Sequence, residues 1–226
     1  MLRFSLKRDE GGSVLVEATI MLTIMIIFVF GSIDFLFFLY EWNSATKAVQ
    51  VGARIASVSD PVAKGLDFLS ASLISRTSPP GTPMPTFSIV CDGAEEKCSC
   101  TGSCPEGLIA FDRTAIRTIV YGRGSAACGD ATSFYSVGMC DIFSRITPAN
   151  VRIEYRQPAS PAGLGYVGRP GGPVPTIKLS LVNMQPQLFF LSVLLHDLRF
   201  PEISTTVTAE DLSSCAPQAT VCTPGR

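Results

Sequence analysis

A single histidine, a single tryptophan and a net charge of −1 leave this chain poor in the usual materials of catalysis and of nucleic-acid binding. His196 stands inside the apolar run FFLSVLLHDL, and its neighbour Asp197 cannot face it across a helix. No serine is marked out as a nucleophile, and no pair of carboxylates is marked out by spacing. A near-neutral balance gives no general attraction to nucleic acid or to acidic membranes, and no basic stripe carries interleaved aromatics. The glycines at 163–172 sit between prolines and do not follow a strand-to-helix turn, so they form no phosphate cradle. The reading is therefore of a protein that is not an enzyme, with no cofactor and no nucleic-acid partner.

Lysine and arginine are also missing, and more tellingly, from Ser13 to Tyr40, a run of 28 residues whose only acids are Glu17 and Asp34. A helix of that length spans roughly 42 Å at ~1.5 Å per residue, more than the ~30 Å of a bilayer's hydrocarbon. The apolar segment exceeds the ~7–15 residues of a secretory h-region, and no A-x-A site follows at once. Arg3, Lys7 and Arg8 precede it, while Lys47 and Arg54 are the nearest basic residues after it. This bias favours an N-terminus on the inner side, with residues 41–226 outside the cytoplasm. Glu17 and Asp34 lie ~26 Å apart along the axis and about 100° apart around it, near opposite faces of the bilayer and not a paired site. A carboxylate at the edge of an apolar helix is costly and is kept for a role, or else lies in the headgroup zone where the helix N-terminus favours an anion.

Cysteine is absent from that helix too. All eight follow it: Cys91, Cys98, Cys100, Cys104, Cys128, Cys140, Cys215 and Cys222. An even count outside the cytoplasm reads as disulfides. Cys128–Cys140 and Cys215–Cys222 are expected as local closures, with the four at 91–104 pairing among themselves. Close pairs such as Cys98-x-Cys100 also occur in zinc knots. No C-x2-C unit and no nearby histidine accompanies them, so disulfides are the expectation and no metal is.

After the span, Ala45, Ala48, Val49, Gly52, Ile55 and Ala56 recur at spacings of three and four. This predicts that the helix continues, with an amphipathic extension over 41–58 that ends before Asp60-Pro61. Its small residues permit the close approach of another element, or simply pack on the chain's own domain. Helices are predicted within 61–76, 108–122 and 134–146. Strands are predicted at 87–90, 151–156, 176–183 and 203–210, the last three from clean alternation. Those three would form an antiparallel sheet on the inner half of the long helix. Residues 157–175, with five prolines and five glycines, read as a long loop of functional or mobile character. Residues 187–198 are strongly apolar but too short to span.

The leader-Gly12-Ser13-x3-Glu17 arrangement, followed by an unbroken apolar helix, resembles the class III signal of type IV pilins and pseudopilins. The resemblance implies cleavage between Gly12 and Ser13 by a membrane prepilin peptidase. Glu17 then takes the fifth mature position, where it can pair with the new α-ammonium of a neighbouring subunit. Gly11 offers an alternative cut that would place Glu17 sixth, and Ser13 stands where many type IV pilins have Phe. Along residues 11–58 the pattern is similar to the TadE-like pilins of tight-adherence (Tad, or Flp) pili. Gly12, Val16, Glu17, Asp34, Ala48, Gly52, Ala53, Arg54 and Ala56 carry the likeness.

Three parts are expected: a leader over 1–12, a helix over 13–58 with the span at 13–40, and an extracytoplasmic α+β domain over 59–226 with a small antiparallel sheet and disulfides. The resemblance implies a minor pilin or pseudopilin of the bacterial inner membrane, or of the extracellular pilus after processing. It implies filament-assembly roles for Glu17 and Asp34 and packing roles for Ala48, Gly52, Ala53 and Arg54. The partners implied are other pilins, the Tad assembly machinery and the prepilin peptidase. The rival reading is a membrane-anchored adhesin or binding protein that never enters a filament, with the Pro/Gly loop and the disulfides as its binding face.

Overall fold

The computed structural model describes residues 10–75, 78–105, 109–133, 136–169, 172–190, 192, 199–209 and 212. These fall into two compact units. The first takes the described residues of Met1–Glu41 and Gln185–Leu198, the second those of Trp42–Met184 and Arg199–Arg226.

The elements run α1 (Glu10–Ser57), β1 (Ala63–Lys64), α2 (Leu66–Ser72), β2 (Phe87–Asp92), β3 (Lys97–Gly102), β4 (Ala110–Phe111), α3 (Arg113–Tyr121) and α4 (Met139–Ile142). A 3₁₀ turn (Pro148–Asn150) leads into β5 (Val151–Gln157), which is followed by β6 (Thr176–Leu181) and β7 (Ile203–Thr208). The fold is α+β. Within α1, Val14–Ser57 is one helix long and apolar enough to cross a membrane.

In the second unit the main sheet has the order β3-β2-β5-β6-β7, antiparallel throughout. Alternation dictates its buried face. Ile89, Tyr155 and Ile177 stand opposite one another across three strands, and Cys91, Ile153 and Leu179 form the next row. The helical stripe Ala45, Ala48, Val49, Gly52, Ala53 and Ala56 is buried in the same core. Small side chains let the backbone of α1 come close to the sheet. A Cβ placed on Gly52 would meet Met139 Cγ at 2.7 Å and Leu179 Cδ1 at 3.3 Å. Tyr155 is fully buried, and its hydroxyl oxygen accepts the Val62 N–H at 2.9 Å.

The sheet is larger than the alternating segments predict, with five strands in place of three. β2 extends through Cys91 and Asp92, and it pairs on both sides. β3 is an edge strand with no apolar alternation, KCSCTG, and most of it is exposed. It is tied in by the Cys91–Cys98 disulfide, which joins residues directly opposite each other.

The helix expected over 108–122 begins only at Arg113, because the Asp112 carboxylate caps it, accepting from the N–H groups of Thr114 at 2.7 Å and Ala115 at 3.1 Å. The helix expected over 134–146 is a single turn, α4, among the described residues. The Pro/Gly loop between β5 and β6 is tied down. Val167 is buried and exchanges backbone bonds with Gly81 and Thr82, both 2.9 Å. Gly168 donates to Ser70 O at 3.0 Å, and the Gln157 side chain donates to Leu164 O at 2.8 Å.

Candidate functional site

The residues that set this chain apart from an ordinary α+β domain lie on the first half of α1. From Val14 to Phe30 the large apolar side chains are all exposed, Phe28 the most at 75%. Polar side chains on this stretch spend their donors locally. Thr19 donates to Val16 O at 2.8 Å, Thr23 to Thr19 O at 2.8 Å and Ser32 to Phe28 O at 2.7 Å. A hydroxyl bonded back to its own helix carries little penalty in a water-poor layer. The surface of this helix is thus suited to lipid or to the apolar helix of a neighbour.

Glu17 is the exception on that surface. It is exposed, and it shares a stripe with Gly12, Val16, Ile20, Met21 and Ile24. Gly12 leaves a gap one turn before it, where an added Cβ would meet nothing within 4 Å. Ser13 lies in the same turn of α1. A carboxylate here is positioned to be approached by a cationic group of another molecule.

Asp34 is in the opposite situation. It is fully buried, and it accepts the backbone N–H groups of Phe189 at 3.0 Å and Phe190 at 2.9 Å, one on each carboxylate oxygen. Glu41, two turns on and also buried, accepts the Gln187 N–H at 2.9 Å. Ring contacts follow the same track. Phe190 lies 4.2 Å from Phe30 and Phe189 lies 5.0 Å from Phe37, centroid to centroid. The two acids thus hold a short backbone stretch along the side of the helix. A buried carboxylate is tolerable when its lone pairs are met in this way. Asp34 and Glu17, grouped by the family pattern, therefore have different surroundings. Glu41 was missed by sequence reasoning because its partner is 146 residues away.

Farther along α1, Ala48, Gly52 and Ala53 are buried in the core of their own unit, while Arg54 is exposed. The cysteines pair as Cys91–Cys98, Cys100–Cys104 and Cys128–Cys140. Cys215, Cys222 and His196 lie outside the described residues. Among the described residues no group of three or more His, Cys, Asp or Glu is placed to hold a metal ion.

A cleft of about 290 Å³ in the second unit is lined by Phe143, Arg152, Asn183, Met184, Arg199 and Glu202, among others. Two of its charges are engaged elsewhere. Arg152 donates through Nε and Nη2 to the Asp92 carboxylate at 3.0 and 2.6 Å, and Glu202 pairs with Lys178 at 2.8 Å. Partial burial pushes the Asp92 carboxyl up, but Arg152 and the N–H groups of Ala94 and Glu95 outweigh it and hold it below the usual range. A carboxylate kept ionised this way is a poor general base.

Residues 12–54 match the family model described as TadE-like protein. Searches of curated proteins and of solved structures gave no match. The match begins at the Gly12 gap, takes in Glu17 and Asp34, and ends at Arg54, where α1 is packed into its own domain. The match lies wholly within α1, whose Val14–Ser57 stretch is long and apolar enough to cross a membrane.

Proposed function

Starting from the TadE-like family match over residues 12–54, we propose that this chain is a minor pilin or pseudopilin that takes part in the assembly of a Tad/Flp pilus. Its role is structural and not catalytic. The helix crosses the bacterial inner membrane once and carries the α+β domain on the outer side. A prepilin peptidase cuts between Gly12 and Ser13, leaving an α-ammonium at Ser13.

The observation that carries this reading is the exposed Glu17 beside the Gly12 gap, at the head of an apolar helix with its side chains outward. In a packed helical filament, the Glu17 carboxylate meets the Ser13 ammonium of a neighbouring subunit. Each charge then satisfies the other in a layer where neither is stable alone. The pair also sets axial register. The globular domain is bulky for the main shaft of such a pilus, which favours a place at an end or in the initiating complex.

The test is complementation of a strain lacking this chain with wild type or with Glu17→Ala. Removing one partner of a desolvated ion pair costs about 3–5 kcal/mol, enough to lose the subunit from the assembly. Wild type should restore surface pili and adhesion, and Glu17→Ala should leave the chain in the membrane with few or no pili. Normal pili and adhesion in the strain lacking the chain would sink the proposal and leave a membrane-anchored binding protein in its place.

A further inference from the structure

The segment held by Asp34 and Glu41 has a chemistry of its own. Between Lys178 and Asp197 there is no acid, lysine or arginine, and the stretch from Leu188 to Leu195 reads LFFLSVLL. Within the unit that also holds the first half of α1, Phe189 is 61% exposed and Phe190 47% exposed. On α1, Phe35, Leu36 and Tyr40 are 60–67% exposed. Large aromatic side chains on two separate stretches of one unit are thus left open together.

Depth can be estimated from the helix. About 20 residues cross the hydrocarbon. If the crossing begins at Val14 it ends near Ile33, and if Glu17 stays among the headgroups it ends near Phe37. Phe30, which stacks on Phe190, lies inside the hydrocarbon in both cases. Phe37, which meets Phe189, lies at its edge or within about 6 Å of it. A backbone stretch at that level cannot leave its N–H groups unpaired, since each would cost several kcal/mol in lipid. Here the N–H groups of Gln187, Phe189 and Phe190 go to Glu41 and Asp34. The acids and the segment are complementary. The carboxylates are sheltered by backbone donors, and the donors are satisfied where water is scarce.

We propose that residues 187–190 form a second membrane-inserted element. It dips beside α1 into the leaflet farther from the N-terminus, is held there by Asp34 and Glu41, and presents Phe189 and Phe190 to lipid acyl chains. The membrane is the occupant of this apolar surface because the surface is continuous with that of the spanning helix. The inference rests on the reading of α1 as a membrane span.

The test uses the full chain in phosphatidylcholine nanodiscs, with acyl chains brominated either near the headgroup or near the terminal methyl. Phe189→Trp, Phe190→Trp and, as a control on the span, Phe28→Trp are measured beside the parent. The parent's one tryptophan, Trp42, is subtracted. Replacing one exposed aromatic by another leaves the core untouched. Phe190→Trp is expected to lose most of its fluorescence to bromine near the headgroup and little to aqueous acrylamide, and Phe189→Trp the same more weakly. Adding Asp34→Ala should reverse this, with lipid quenching lost and acrylamide quenching gained. Lipid quenching that survives Asp34→Ala would overturn the part given to Asp34. Quenching of both segment tryptophans by acrylamide and not by lipid, while Phe28→Trp is quenched by lipid, would overturn the inference and leave the span intact. Failure of lipid to quench Phe28→Trp would overturn the span and the inference together.

Discussion

Single residues of this chain show how burial assigns roles to groups of the same chemistry. Among the described residues Tyr155 is the largest side chain with no exposure, and its oxygen serves a buried backbone N–H, that of Val62. Burial, only partly offset by that hydrogen bond, raises the phenol far above its ordinary range, so it stays protonated at every working pH. Tyr155→Phe keeps the ring and strands the Val62 donor, and should cost about 1–3 kcal/mol in denaturant unfolding of the detergent-solubilised chain. An unchanged midpoint would mean that another acceptor reaches Val62.

The Asp92 carboxyl has its pKa lowered in the folded state, so its contribution is present above the ordinary value of 3.8 and is lost as pH falls below that value. Acid titration of stability should therefore be shallower in Asp92→Asn than in wild type below pH 3.8, and indistinguishable near neutrality in its slope. Arg152 is 48% exposed, so the pair is worth no more than about 1 kcal/mol. Glu17 and Asp34 complete the contrast, one exposed and one enclosed by backbone donors.

At the scale of elements, the second half of α1 is the part that the rest of the domain depends on. Gly52 gives the sheet and Met139 room to approach. Met139 is flexible enough to yield to one added methyl group, but not to a branched side chain. Gly52→Ala should be tolerated, whereas Gly52→Leu should destabilise by about 1–3 kcal/mol through overpacking, read as a lower thermal midpoint of the domain. Equal midpoints for the two would show that the contact is loose.

The same elements show what could be read from sequence. The long helix was legible because a long apolar run without cations or proline has few other outcomes. β5, β6 and β7 were legible because one face is buried and the other is not, so Val151, Ile153 and Tyr155 alternate with polar neighbours. β3 was not legible, because an exposed edge strand has no such alternation and is joined by a disulfide and backbone bonds instead. The start of α3 was carried by Asp112, a capping signal that the apolar Ile109 obscured. The partners of Asp34 and Glu41 were out of reach, since a backbone N–H 155 or 146 residues away leaves no trace in local pattern.

For the whole molecule, one continuous helix carries two chemistries in turn. Its first part has outward apolar side chains, interrupted by an exposed Glu17. Its later part is one-sided and buried against a five-stranded sheet. This division suits a subunit that stays in the bilayer until assembly, then exchanges lipid for neighbouring helices without refolding its domain. The disulfides and the backbone bonds of the Pro/Gly loop tie segments of that domain together. The rival reading, an anchored binding protein, makes no use of Glu17 or of the Gly12 gap.

Cleavage separates the two readings most directly. Intact mass and N-terminal sequencing of the chain taken from membranes, with and without the cognate prepilin peptidase, would measure it. The account predicts a mature chain beginning at Ser13 whenever the peptidase is present, and an uncut chain beginning at Met1 when it is absent. A chain that still carries Met1 in the presence of an active peptidase would contradict the pilin pathway.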